Sequence, residues 1–251
     1  MAMAVETPDT GFPDNVLAFT TTREGGISSG PWRSLNLASH VGDSPVAVAG
    51  NRRILHSALP GNHPVAWLDQ VHGTRVVDAA VGGNGLPADA SICHQPVVAC
   101  AVLTADCLPV LLCERSGSVI AAAHAGWRGL AGGVLDATVT AMGCEPADLM
   151  AWLGPCIGPL AFEVGAEVRE AFCADAVPAQ AAAIRACFRP AARAGHFLAD
   201  LHALARWRLT ALGVASIAAD SRCTVSSPLT FFSYRRDGVT GRMASMIIIK
   251  D

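Results

Sequence analysis

The chain has 251 residues, half of them apolar (51%) and only 16% charged, against the roughly one quarter charged of an ordinary globular domain, so disorder is excluded and a sizeable core is available. The net charge of −3 gives no field that would draw the protein onto nucleic acid or an anionic membrane surface. Nine cysteines, an odd number without a CxxC pair, fit reduced thiols in a cytosol rather than a secreted disulfide scaffold.

Residues 1–15 hold Glu6, Asp9, Asp14 and three turn formers. They lack a basic start followed by an apolar run, so they predict no secretory signal and a loose N-terminal segment. A strand is expected at 16–21, closed by Glu24-Gly25-Gly26. A helix then starts from Ser44 as N-cap with Pro45 at its first position and stops at Pro60-Gly61. Strands are expected at 65–71, 97–103, 110–113 and 119–123. These runs are apolar on both faces, as in strands covered by helices or by a second sheet. The stretch 97–113 is long enough to suggest a membrane span, but Asp106 and Pro109 inside it predict two buried strands instead. Helices are expected at 130–142, 164–173 and 198–212, and strands around Ile217 and at 231–234 and 246–249. There is no repeat, linker or charge block, which predicts a single domain over 1–251. Strands mixed with irregularly placed helices, without regular βαβ alternation, predict an α+β fold of layered mixed sheets flanked by helices, an αββα-type sandwich.

Chemistry concentrates where apolar strands meet turns: Gln70-Val71-His72-Gly73, then Thr104-Ala105-Asp106-Cys107-Leu108-Pro109, then Ala123-His124-Ala125-Gly126-Trp127-Arg128-Gly129. Two imidazoles and one thiolate make a possible zinc set that leaves a fourth tetrahedral position for water or substrate. No two of the three are local neighbours, so a backbone-bonded strand-end histidine and a small buried cysteine stand beside that reading. Cys93, Cys100, Cys113, Cys144, Cys156, Cys173, Cys187 and Cys223 read as structural. His40, His63, His94 and His196 read as surface or capping residues, and His56 and His202 fall on expected helices. The glycines at 126, 129, 132 and 133, opening a helix, suit either a bound phosphate or tight strand-to-helix packing. Lys250 is the only lysine among eighteen basic residues, so arginine is the default cation here and any one arginine says little about function.

Eight ordered blocks carry a resemblance. They are Phe19-Thr20-Thr21-Thr22-Arg23-Glu24-Gly25-Gly26, Ser34-Leu35-Asn36-Leu37 with His40-Val41-Gly42-Asp43, Asn51-Arg52, the three blocks around His72, Cys107 and His124, Gly154-Pro155-Cys156-Ile157-Gly158-Pro159, and Ser233-Tyr234-Arg235-Arg236-Asp237-Gly238 with Thr240-Gly241-Arg242. From about residue 17 to the end the chain resembles the YfiH family, also called the laccase-domain or purine nucleoside phosphorylase family and peptidoglycan editing factor. The resemblance implies a zinc site at His72, Cys107 and His124. It also implies phosphorolysis of adenosine, inosine, guanosine and methylthioadenosine by inorganic phosphate to base and ribose 1-phosphate, with adenosine deamination alongside, in the cytoplasm.

By type and placement Arg52, Arg128 and Arg235 are candidates for anion contact, with Asn36 and His40 as polar liners. Arg236 and Arg242 are equally eligible on type. Tyr234, the only tyrosine, suits either purine stacking or core packing. Asp106 is expected to point away from Cys107 by strand alternation, or to orient a histidine ligand; no general acid is assigned. Two other enzymes use the same residues: a Cys-His amidase with Cys107 as nucleophile and His124 as base, acting on a peptidoglycan precursor, and a copper polyphenol oxidase with Cu2+ in place of zinc. The eight histidines contain no HxH pair, which disfavours the multicopper alternative. A non-enzymatic binding module is the remaining reading. The oligomeric state is left open.

Overall fold

The computed structural model describes residues 3–8, 11–82, 85–174 and 176–250. Strand Leu108–Glu114 shows why a continuous apolar run is stable here. Successive side chains leave a strand on opposite faces: Leu108, Val110 and Leu112 enter one core, while Leu111 and Cys113 enter another. Its neighbour Ile120–Ala125 divides the same way, with Ala121, Ala123 and Ala125 on one side and Ile120 and Ala122 on the other. Each face therefore needs its own cover.

That cover comes from a second sheet and from helices. Leu108–Glu114 and Ile120–Ala125 are central in a six-stranded sheet completed by Ser216–Ala219, Leu149–Leu153, Ala90–Cys93 and Val76–Asp78. A five-stranded sheet runs in the order Val5–Glu6, Val16–Thr21, Met243–Ile249, Ala99–Thr104, Val65–Ala66. Val16, Ala18, Cys100, Val102, Ile247 and Ile249 of this sheet meet Leu111, Cys113, Ile120, Ala122 and Trp152 of the other. On the far side of the five-stranded sheet, Leu55 of helix Pro45–Ser57 packs with Phe19, Leu103 and Ile248. On the far side of the six-stranded sheet lie helices Val134–Met142 and Leu201–Ala211. The layers are helix, sheet, sheet, helix, as the apolar runs predict. A small sheet of Glu163–Gly165, His196–Ala199 and Phe188–Pro190 accompanies the outer helices. Among the described residues no helix is long and apolar enough to cross a membrane.

Several elements differ from expectation for local reasons. The strand expected over 65–71 stops at Ala66, because further pairing is taken over by a side chain: the Gln70 amide donates to Leu103 O at 2.8 Å and accepts from Leu103 N at 2.7 Å. The helix expected over 130–142 is two, Trp127–Gly132 and Val134–Met142, broken at Gly133, whose φ of 95° leaves the helical region. Residues 231–234 do not form a strand. Ser233 instead caps the short helix Tyr234–Asp237 by accepting from Arg236 N at 3.2 Å. The helix expected from 198 begins at Leu201, where Asp200 caps it through Ala203 N at 2.9 Å, and that expected from 164 begins at Ala166. Within the N-terminal segment expected to be loose, Val5 and Glu6 pair with Thr21 and Thr20, and Glu6 is ion-paired to Arg222 at 2.9 Å.

The feature that places the site is a crossing. The run 97–113 is two strands in different sheets, Ala99–Thr104 and Leu108–Glu114. The chain passes between layers at Asp106, whose φ is 97°.

Candidate active site

Two strand ends and one turn meet where the chain crosses between the sheets. Cys107 lies in the crossing itself, immediately before strand Leu108–Glu114. His124 stands near the end of Ile120–Ala125, in register with Pro109. His72 follows the Gln70 anchor in a turn with φ of 61°, a left-handed conformation that histidine adopts more readily than most side chains. Their ligand atoms all lie within 4.8 Å of one another, with Cys107 Sγ 3.8 Å from His72 Nε2 and the two rings edge to face at 4.8 Å between centroids.

One buried carboxylate organises both histidines. Asp89, fully buried, accepts the backbone N–H groups of Val71, His72 and Gly73 at 3.2, 2.9 and 2.6 Å and His124 Nδ1 at 2.8 Å. A carboxylate only accepts, so a proton sits on His124 Nδ1, and Nε2 is the nitrogen that can ligate once its own proton is displaced. Burial opposes the Asp89 charge, but His124 and the Gly73 and His72 amides outweigh it and hold the pKa below its usual value. At Cys107 burial likewise opposes ionisation, while His124 and His72 prevail and bring the thiol down to about 6. His124 is raised to about 9, burial opposing and Cys107 and Asp89 prevailing. A thiolate, the form that ligates metal or attacks an electrophile, is therefore available at neutral pH.

The donor set fits zinc. Zinc bonds of about 2.0–2.3 Å in tetrahedral geometry put ligand atoms roughly 3.3–3.8 Å apart, close to the separation of Cys107 and His72. Space is kept for this convergence by Gly126, where a Cβ would lie 2.9 Å from His72 Cδ2 and 3.1 Å from Cys107 Sγ. The second glycine of that block, Gly129, lets the helix approach the His72 turn; a Cβ there would sit 2.8 Å from Gly73 O.

The cluster floors a cleft of about 370 Å³ lined by His40, Gln70, Thr104, Tyr234 and Arg242, within the usual range of about 300–1,000 Å³ for a small-molecule site. His40 is thus brought to the cluster, and burial, followed by the nearby Arg242, lowers its pKa. Arg242 is half-buried and forms no ion pair among the described residues; its Nη1 donates to Thr240 O and Gly241 O. Burial lowers its pKa, against the pull of Cys107 and Asp106. Tyr234 is 60% exposed, a cleft wall rather than core, and the Arg242 guanidinium lies 5.9 Å from its ring.

The other arginine candidates are engaged elsewhere. Arg52 stacks on Trp67 at 4.2 Å and donates to Leu37 O. Arg128 lies over Trp127 and, with Arg235, lines a separate cleft beside Phe162 and Glu163. The Arg235 side chain bonds Ala161 O and Glu163 O. Arg236 is a clamp between Asp237 and the carbonyls of Thr224, Val225 and Phe231. Asn36 does not line the cleft. Its Oδ1 accepts from Arg242 N at 3.0 Å and its Nδ2 donates to Asp43 and Ala38 O, so it supports the segment bearing Arg242. Asp106 orients no histidine: its carboxylate accepts from Thr224 Oγ1 and Arg235 N, both at 2.6 Å. That role belongs to Asp89, which sequence reasoning passed over. The available signal was an acid in the apolar run 88–93, where a buried carboxylate demands donors.

Layered sheets with a His-Cys-His cluster at their crossing define a laccase-like domain, and comparison bears this out. Residues 17–250 match the family model described as multi-copper polyphenol oxidoreductase laccase. The chain is 52% identical over 245 residues to a protein of Pseudomonas aeruginosa named purine nucleoside phosphorylase, covering 98% of each chain. It is 50% identical over 242 residues to purine nucleoside phosphorylase YfiH of Escherichia coli K12, covering 94% of each. A crystal structure from Neisseria meningitidis superposes with a TM-score of 0.92 at 52% identity over 98% of this chain and 99% of that one. YlmD of Geobacillus stearothermophilus superposes at 0.85 and 31% identity, over 95% and 93%. The chain belongs to the YfiH family of laccase-like domains.

Proposed function

We propose that this protein is a zinc-dependent purine nucleoside phosphorylase, splitting adenosine, inosine, guanosine or methylthioadenosine with inorganic phosphate, and that the same cleft deaminates adenosine. The observation that carries this is the convergence of His72, Cys107 and His124 on the floor of a cleft whose walls hold an aromatic face and an unpaired guanidinium. The names of the P. aeruginosa and E. coli relatives support the substrate class.

Zinc, when bound by His72, Cys107 and His124, supplies a Lewis acid with an open coordination position. The remaining chemistry belongs to this chain's own side chains. Tyr234 offers a face on which a purine stacks. Arg242 is already partly desolvated and without a carboxylate partner, so phosphate meets a strong, poorly screened cation there. His40, kept neutral by burial and by Arg242, hydrogen-bonds a sugar hydroxyl or phosphate without adding charge. Orientation of nucleoside and phosphate against each other supplies much of the rate acceleration, because charge develops on both sugar and departing base.

Purified metal-loaded protein incubated with adenosine, with and without phosphate, tests this by product analysis. Adenine and ribose 1-phosphate formed only with phosphate support phosphorolysis, and inosine formed without phosphate supports deamination. Absence of all three products rejects the proposal.

The Cys107 thiolate beside His124 favours one second reading, a Cys-His amidase acting on a peptidoglycan precursor. A zinc-bound sulfur is not free to attack, so metal content separates the two. The single three-ligand cluster among the described residues does not supply the several copper sites that dioxygen reduction to water needs, so zinc is taken over copper.

A further inference from the structure

A pair of cysteines lies outside the His72, Cys107 and His124 cluster. Cys156 and Cys223 are partners in an isolated parallel bridge. Bridged chains run about 4.8 Å apart, inside the Cα separation of roughly 4.4–6.8 Å that a disulfide spans. Both thiols are free, and their surroundings differ. Cys223 is half-exposed, and its Sγ accepts from Gly158 N at 3.1 Å. Burial disfavours its thiolate, but the donors at Gly158, Ser226 and Val225 outweigh it and lower the pKa. That approach needs glycine, since a Cβ on residue 158 would sit 3.0 Å from Cys223 Cβ.

Cys156 is buried, and burial holds its thiol protonated. Its Sγ lies about equally far from both ring nitrogens of His202, 3.9 Å from Nδ1 and 3.7 Å from Nε2. His202 Nε2 donates to Gly154 O at 2.9 Å.

We propose that Cys156 and Cys223 form a peroxide-responsive thiol pair in which Cys223 attacks and Cys156 resolves. The Cys223 thiolate attacks one oxygen of hydrogen peroxide: an S–O bond forms, the O–O bond breaks, and the departing hydroxide takes a solvent proton to become water. Cys156 then attacks the sulfur of Cys223 and gives up its thiol proton to the departing oxygen. An S–S bond forms, the S–O bond breaks, and the second hydroxide leaves with the proton as water. Two thiols are oxidised to one disulfide and one peroxide is reduced to two waters.

The pair sits on the support of the candidate active site. Thr224 N donates to Cys156 O at 3.0 Å and Ile157 N to Asp106 O at 2.9 Å, while Thr224 Oγ1 donates to Asp106 Oδ1. Linking residues 156 and 223 therefore ties together the two segments that hold the turn presenting Cys107.

The test is covalent and does not depend on the proposed activity. Zinc-loaded protein is treated with stoichiometric hydrogen peroxide, capped with N-ethylmaleimide and mapped by mass spectrometry without reduction. The expected result is one linked peptide pair carrying Cys156 and Cys223, reversed by dithiothreitol. Cys223→Ser abolishes the link, and Cys156→Ser leaves a sulfenic acid on Cys223 that dimedone traps. Recovery of both residues as maleimide adducts while other cysteines oxidise overturns the proposal, as does failure to trap Cys223 in Cys156→Ser.

Discussion

The Asp89 carboxylate lies 2.8 Å from His124 Nδ1 and simultaneously holds the backbone N–H of His72 at 2.9 Å, so one buried charge sets the position of both imidazoles. An asparagine there keeps the shape but turns an N–H₂ toward donors. Asp89→Asn is expected to weaken zinc binding by about 10–100-fold and to cost about 1–3 kcal/mol of stability through unmet buried donors. Competition with a chromophoric chelator and thermal unfolding measure the two effects. Unchanged zinc affinity would remove Asp89 from the site.

Gly126 is expected to tolerate no side chain, because its Cβ would press on His72 and Cys107. Gly126→Ala should fold, since alanine suits the extended backbone at φ −60°, ψ 155°, and should bind zinc at least about tenfold more weakly, or about 1.4 kcal/mol. Zinc stoichiometry after gel filtration reads this directly, and wild-type content would contradict it.

Arg242→Ala is expected to raise the KM for phosphate by roughly 10–100-fold, matching about 1.5–3 kcal/mol for a hydrogen bond to a charged group. The KM for nucleoside should move less. The same substitution at Arg128, which lines a different cleft, should leave both values near wild type. Equal effects from the two variants would mean that Arg242 does not hold the anion.

Removing zinc should unmask Cys107. With the metal chelated, the thiolate favoured by His124 and His72 is expected to be alkylated by iodoacetamide well before the buried Cys100, Cys113 and Cys156. Zinc-loaded protein should resist. Equal labelling of Cys107 with and without zinc, followed by peptide mapping, would exclude it as a ligand and favour the amidase.

The layered core was legible because strands apolar on both faces must be covered on both, and runs such as Ile120–Ala125 state that locally. The three ligand candidates were legible because each interrupts such a run with a group that apolar packing does not need. The placing of Arg242 in the cleft was hidden in a chain where nearly every cation is arginine. The aromatic content of residues 231–234 suits a strand, but the Ser233 cap and the Asp106 carboxylate, which accepts from Arg235 N, decide otherwise.

Periodicity and composition, being properties of neighbouring residues, determined from the primary order alone most of the core strands and helices and which side chains are chemically competent. Only the folded chain decided who meets whom. Asp89 rather than Asp106 orients the histidines, and Arg242 rather than Arg52 or Arg235 reaches the cleft, because those encounters depend on a left-handed turn at Asp106 and on the stacking of two sheets. Both are long-range consequences of burial, and no local pattern encodes them.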